Sequence, residues 1–189
     1  MVDRCSWVGS DPLMVGYHDT EWGVPVHDDR KLFEFMVLDA MQAGLSWQIV
    51  LRKRNSFARA LDGFDPRRVA QYGERDLARL IATEGIIRNR QKLAAAITNA
   101  RNVEAVQQDF GSLDVYLWRF VDGRPKMNAW TEVGQIPATS PESEAMSGDL
   151  RSRGFKFVGP TICYAFMQAA GLVNDHLKTC FRYADLVKG

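Results

Sequence analysis

The chain has 189 residues, 46% of them hydrophobic and 25% charged, enough for one compact unit with its own core. No apolar run approaches the roughly 20 residues of a bilayer span, and the N-terminal MVDRCSWVGSDP lacks a signal-peptide core, so we expect a cytoplasmic protein and no membrane partner. A net charge of +1 gives no sign of a nucleic-acid partner by itself, and three cysteines (Cys5, Cys163, Cys180) are too few for a disulfide framework.

Helix signals dominate in chain order. A helix over 28–43 opens on acidic residues and stops at Gly44; Ser46 caps a second over 47–61. Asp65-Pro66 and Ser140-Pro141 each pair an N-cap residue with proline at the first helical position. Gly85 precedes a long helix over about 88–108, and another is predicted over 112–121. The last of this form runs over 160–170 and is closed by Gly171. Alternating strand-like runs are nearly absent, so the predicted class is all-α. Repeats, low-complexity tracts and linkers are also absent, and residues 1–189 are expected to form a single domain. Basic clusters at Arg52-Lys53-Arg54, at Arg88, Arg90 and Lys92, and at Arg151, Arg153 and Lys156 read as solvated helix faces.

Four sets of residues carry chemistry. His176 and Cys180, four apart, would share one face if helical, and with Cys5 and His18 near the other end they could form a closed tetrahedral Cys₂His₂ zinc site. Ordinary buried thiols are the alternative reading. The segment GFKFVGPT over 154–161 reads as a hairpin between helices, where a helix N-terminus, Lys156 and Thr161 suit a phosphate; a packed helix corner is equally consistent. In QAGLSW, a turn carries Leu45 and Trp47, which read either as core or as a wedge and a base-stacking surface. Finally, Asp39 falls among Leu32, Phe35, Met36 and Ala43 on an apolar face. Burying a lone carboxylate costs several kcal/mol, so Asp39 must face a polar cleft, find a partner, or lie at a solvent-facing edge. Trp7, Tyr17, Trp22 and Trp47 are candidates to line such a cleft.

Taken together, RCSWV, YHDTEWGVP, QAGLSW, GIIRNRQKLAAAITNAR and RGFKFVGPTICYAFMQAAGLVNDH followed by Cys180 closely resemble the bacterial DNA-3-methyladenine glycosylase I family of the helix-hairpin-helix superfamily. The resemblance covers nearly the whole chain. It implies two helical lobes with the base pocket between them. It further implies one structural zinc on Cys5, His18, His176 and Cys180, with Tyr17 and Trp47 on the flipped base. Trp7 and Met14 would line the pocket, Gly44 and Leu45 would fill the gap in the DNA, and Lys156, Gly159 and Thr161 would grip phosphates. The substrate would be double-stranded DNA containing alkylated adenine; no protein partner is implied. The superfamily's usual aspartate is replaced by Asn174, with Asp175 one residue out of register, and no lysine nucleophile is present in the hairpin, so strand cleavage is not expected. Asp39 and Met14 stand where the family usually has glutamate and often has tyrosine. An abasic-site or lesion-binding protein with little excision is the alternative these two departures raise.

Overall fold

A computed structural model describes residues 2–188. Helices build it: α1 (Pro12–Thr20), α2 (Asp29–Gln42), α3 (Trp47–Ala60), α4 (Pro66–Ala70), α5 (Glu74–Ala82), α6 (Arg90–Phe110) and α7 (Leu113–Trp118) precede the short strand β1 (Lys126–Met127). Then follow α8 (Pro141–Ser152), α9 (Pro160–Ala169), β2 (Val173–Asn174) and α10 (Phe181–Lys188). The expected helical class therefore holds, with one addition. β1 and β2 pair in parallel, Lys126 opposite Val173 and Met127 opposite Asn174, a bridge too short to show as an alternating run.

The caps explain most boundaries. Asp28, Ser46, Asn89, Ser112 and Ser140 each accept a backbone N–H from the first turn of the helix they precede, satisfying one of its free donors. Asp65 does the same before Pro66, and Asp11 before Pro12. The latter pair opens α1, a helix beyond those expected above, with the same Asp-Pro signal as Asp65-Pro66.

α2 is the spine of the molecule. Leu32, Phe33, Phe35, Val37, Leu38 and Met41 are all essentially buried, because α3, α6, α7 and α9 pack around it. A helix that is apolar nearly all round belongs inside. Gly171, at φ +75°, ends α9 against the chain at Val24–Pro25; a Cβ there would lie 2.3 Å from the Val24 carbonyl carbon, so only glycine allows this approach. Among the described residues no helix is long and apolar enough to cross a membrane.

Candidate metal centre, cleft and DNA-facing surface

Cys5, His18, His176 and Cys180 converge, all four buried, with their ligand atoms within 4.8 Å of one another. Cys5 Sγ lies 3.7 Å from His176 Nδ1, and Cys180 Sγ lies 3.5 Å from both His176 Nδ1 and His18 Nε2. Zn–S and Zn–N bonds of about 2.3 and 2.0–2.1 Å at tetrahedral angles separate S from N by roughly 3.6 Å, so the donor set fits a single ion. Each imidazole is also oriented through its other nitrogen. His18 Nδ1 meets Asp19 Oδ1 at 2.8 Å, and His176 Nε2 meets the Trp22 carbonyl at 2.9 Å. Burial holds His176 down to about 4 and lowers His18, which favours neutral, ligand-competent rings; it pushes the Cys5 thiol up to about 12. The geometry corrects one expectation. His176 and Cys180 do not lie on a helix; they flank a turn closed by Cys180 N–H donating to the Leu177 carbonyl at 2.7 Å, just before α10. A spacing of four serves a turn as well as a helix.

Beside this centre opens a cleft of about 330 Å³, at the lower end of the range for small-molecule sites. α1 contributes Met14 and Tyr17, α2 contributes Asp39 and Gln42, and Trp47 begins α3. The N-terminal turn adds Trp7, α9 adds Ala165 and Gln168, and the 133–136 segment closes one side. Tyr17 and Trp47 face each other with ring centroids 5.3 Å apart, and Trp7 stands edge-on to Trp22 at 4.8 Å. Two buried polar atoms in this wall have no partner: Asp39 Oδ2 and Trp47 Nε1. Asp39 is 4% exposed, and burial raises its pKa well above the usual carboxylate range. Burial also raises Tyr17, with the Asp39 charge adding to it. An aromatic slot with an unpartnered acceptor and an unpartnered donor is organised for a flat ligand carrying complementary polar groups.

The two proposed DNA elements lie outside the cleft wall. Gly44, at φ +79°, turns the chain after α2 and leaves Leu45 39% exposed. Between α8 and α9 the hairpin takes positive φ at Gly154 and at Phe157, an unusual conformation for an aromatic residue. Lys156 and Thr161 are exposed. Gly159 has an ordinary φ of −63°, and a Cβ there would make only an ordinary contact, 3.4 Å from the Arg151 guanidinium.

The basic clusters are less uniform than expected. Arg54 is bound by Glu21 and Glu34, Arg153 by Asp109 and Asp149, and Lys92 is buried. Most of these partners lie 20 or more residues away in sequence, beyond the reach of a local reading; Asp149, four residues before Arg153, is the exception. Asp175 is also accounted for. Its Oδ1 accepts from Asn128 and Trp130 and its Oδ2 from Tyr164 and Gln168, at 2.6–2.8 Å. It ties α9 to the segment after β1 and fixes Gln168, a cleft residue that sequence reasoning missed. Either orientation of an amide at 175 would set an NH₂ against two donors, so Asp175→Asn is expected to cost about 1–3 kcal/mol in a denaturant melt. An unchanged melt would make the network dispensable.

Comparison with known proteins agrees with this picture. The family model described as methyladenine glycosylase matches residues 7–183. DNA-3-methyladenine glycosylase 1 of Escherichia coli (strain K12) is 47% identical over 182 residues, covering 96% of this chain and 97% of the relative. A crystal structure of a 3-methyladenine DNA glycosylase I superposes with TM-score 0.92 at 50% identity, covering 95% of this chain and 98% of that one. A structure described as the basis of 3-methyladenine recognition by the Staphylococcus aureus enzyme gives TM-score 0.92 at 35% identity, covering 94% and 95%.

Proposed function

The chain belongs to the methyladenine glycosylase family, and from that premise we propose that it is a DNA repair enzyme that hydrolyses the N-glycosidic bond of 3-methyladenine in alkylated duplex DNA. The observation that carries the proposal is the buried, unpartnered Asp39 carboxyl in an aromatic slot. A 3-methylated adenine in DNA is a flat cation. Flipped out of the stack, it would lie against Tyr17 and Trp47, with Trp7 and Met14 completing the slot, while Asp39 faces its positive charge. Arrival of a cation offsets part of the desolvation that raises the Asp39 pKa and so favours its charged form. Normal adenine is neutral and gains no such interaction.

The chemistry needs little more. Water adds its oxygen to C1′ and loses a proton; the glycosidic pair returns to the base, which departs as neutral 3-methyladenine. Stacking and the Asp39 charge hold the lesion in the geometry from which this occurs. Among the described residues no lysine lines the cleft, so we infer a monofunctional glycosylase that leaves an intact abasic strand.

Residues 1–189 are read as one helix-hairpin-helix domain of two interleaved helical lobes. Cys5, His18, His176 and Cys180 would hold a structural zinc, fastening the N-terminal turn to the segment before α10. That ion supplies a cross-link, with no open position for substrate. Leu45, lifted by Gly44, would fill the space vacated by the base. The α9 N-terminus, with Lys156, Gly159 and Thr161, would hold the phosphates.

Binding of the free base isolates the slot from the DNA surface. Tryptophan fluorescence should be quenched by 3-methyladenine at concentrations where adenine has no effect; equal response to both bases would remove the slot from base selection. For the DNA surface, Lys156→Ala is expected to weaken duplex binding at every sequence and to reduce the dependence of log affinity on log salt by about one. An unchanged salt slope would take Lys156 off the phosphates.

A further inference from the structure

Two buried polar side chains on α6 have no place in the cleft, and each is bonded to one of the two elements read as DNA-facing. Lys92, in the first turn of α6, is 6% exposed. Its Nζ donates to the Met41 carbonyl at 2.9 Å and the Ala43 carbonyl at 2.6 Å. Met41 is in the last turn of α2, whose final carbonyls have no partners within the helix, and Ala43 immediately precedes Gly44-Leu45. An ammonium here suits the negative end of α2 and clamps the chain where it turns outward. Removing an ammonium from water carries a large cost, and a contact of no consequence could have been apolar.

Asn99 is 1% exposed. Its Nδ2 donates to the Lys156 carbonyl at 2.9 Å while its Oδ1 accepts the Lys156 N–H at 2.8 Å. This closed pair holds the hairpin backbone at its exposed lysine, next to Phe157 in its positive-φ conformation. Positions 92 and 99 are seven apart in an unbroken helix, so they share a face and lie about 10 Å apart along its axis.

We propose that α6 sets the register between wedge and phosphate grip, with Lys92 and Asn99 as positioning residues. Lys92 fixes the turn that projects Leu45, Asn99 fixes the hairpin at Lys156, and the rigid helix between them sets their separation. Neither side chain touches the base. The inference rests on reading Leu45 and the 154–161 hairpin as DNA contacts.

The test uses the full zinc-loaded chain as Lys92→Met and Asn99→Leu, beside Leu45→Ala and Lys156→Ala as reference variants. Affinity for a duplex carrying an abasic-site analogue is read by anisotropy, and affinity for free 3-methyladenine by tryptophan quenching. Lys92→Met and Asn99→Leu are each expected to weaken duplex binding by about tenfold or more while base affinity stays within about twofold. A role confined to stability would lower the melting temperature and leave both affinities of the folded protein alone. If Lys92→Met fails to fold, Lys92→Gln and Asn99→Ser carry the same comparison. Duplex affinity at the wild-type level in folded Lys92 and Asn99 variants, with the reference variants weakened, overturns the inference. Silence of the reference variants as well would instead overturn the reading of the DNA surface.

Discussion

Cys180→Ala is expected to abolish binding of the proposed zinc and to leave the chain largely unfolded under conditions where the wild type is folded. A structural zinc of this ligand type contributes on the order of 10 kcal/mol to folding, and a domain's whole margin is about 5–15 kcal/mol, so the loss is comparable with the total. The four ligands bring together residues 5 and 18 with residues 176 and 180, ends of the chain otherwise connected through many intervening elements. Without metal the same cluster is two thiols and two neutral imidazoles shut away from water. The pH dependence follows. With the Cys5 thiol pushed up to about 12 in the absence of metal, ion binding must displace thiol protons, so metal affinity rises with pH and acid releases it. Elemental analysis beside a thermal melt checks both statements. Wild-type protein that melts at the same temperature before and after complete chelation would show that the cluster is an ordinary buried group.

Asp39→Asn is expected to lower excision of 3-methyladenine by one to two orders of magnitude, because a hydrogen bond to a charged group contributes about 1.5–3 kcal/mol. The same substitution should stabilise the free protein at neutral pH. Burial raises the Asp39 pKa, so the folded state holds this proton more tightly than the unfolded chain. Stability is therefore lost as pH rises from the unfolded pKa towards the folded one, and the penalty stays in place above it. Asparagine carries no such penalty. A higher melting temperature than wild type should appear at pH 7 and shrink as pH falls towards the unfolded carboxylate pKa. Asp39→Glu should excise at or above the wild-type rate, since a small cavity lined by Met36, Cys163 and Phe166 adjoins the carboxyl and can take a methylene. Wild-type excision by Asp39→Asn would make Asp39 a structural acid and leave recognition to Tyr17 and Trp47.

What the sequence discloses is mostly what lies close in the chain. Asp28, Ser46 and Ser140 mark helix starts because a cap bonds to a backbone two or three residues away. α5 escaped because its N-cap is Gly73, which offers no side-chain acceptor; Asp76 reaches back to the Gly73 N–H instead. Asp39 drew attention because a carboxylate on an apolar stripe is anomalous wherever it falls. Its cleft does not show in the sequence, since α1, α2, α3, α9 and the segments around Trp7 and 133–136 build it from residues between 7 and 169. Cys5, His18, His176 and Cys180, which the structure brings together, are legible as a set only through family resemblance; composition left buried thiols open. Lys92 was misread for the opposite reason. A lysine among arginines looks solvated until its acceptors, 49 and 51 residues upstream, are known.

The most direct measurement is the fate of the base in DNA methylated in vitro and incubated with the protein. Free 3-methyladenine is expected, released over many turnovers and identified by chromatography, with the strands intact until alkali cleaves them at abasic sites. Duplex that binds normally while every 3-methyladenine stays attached to its sugar would contradict the proposed activity.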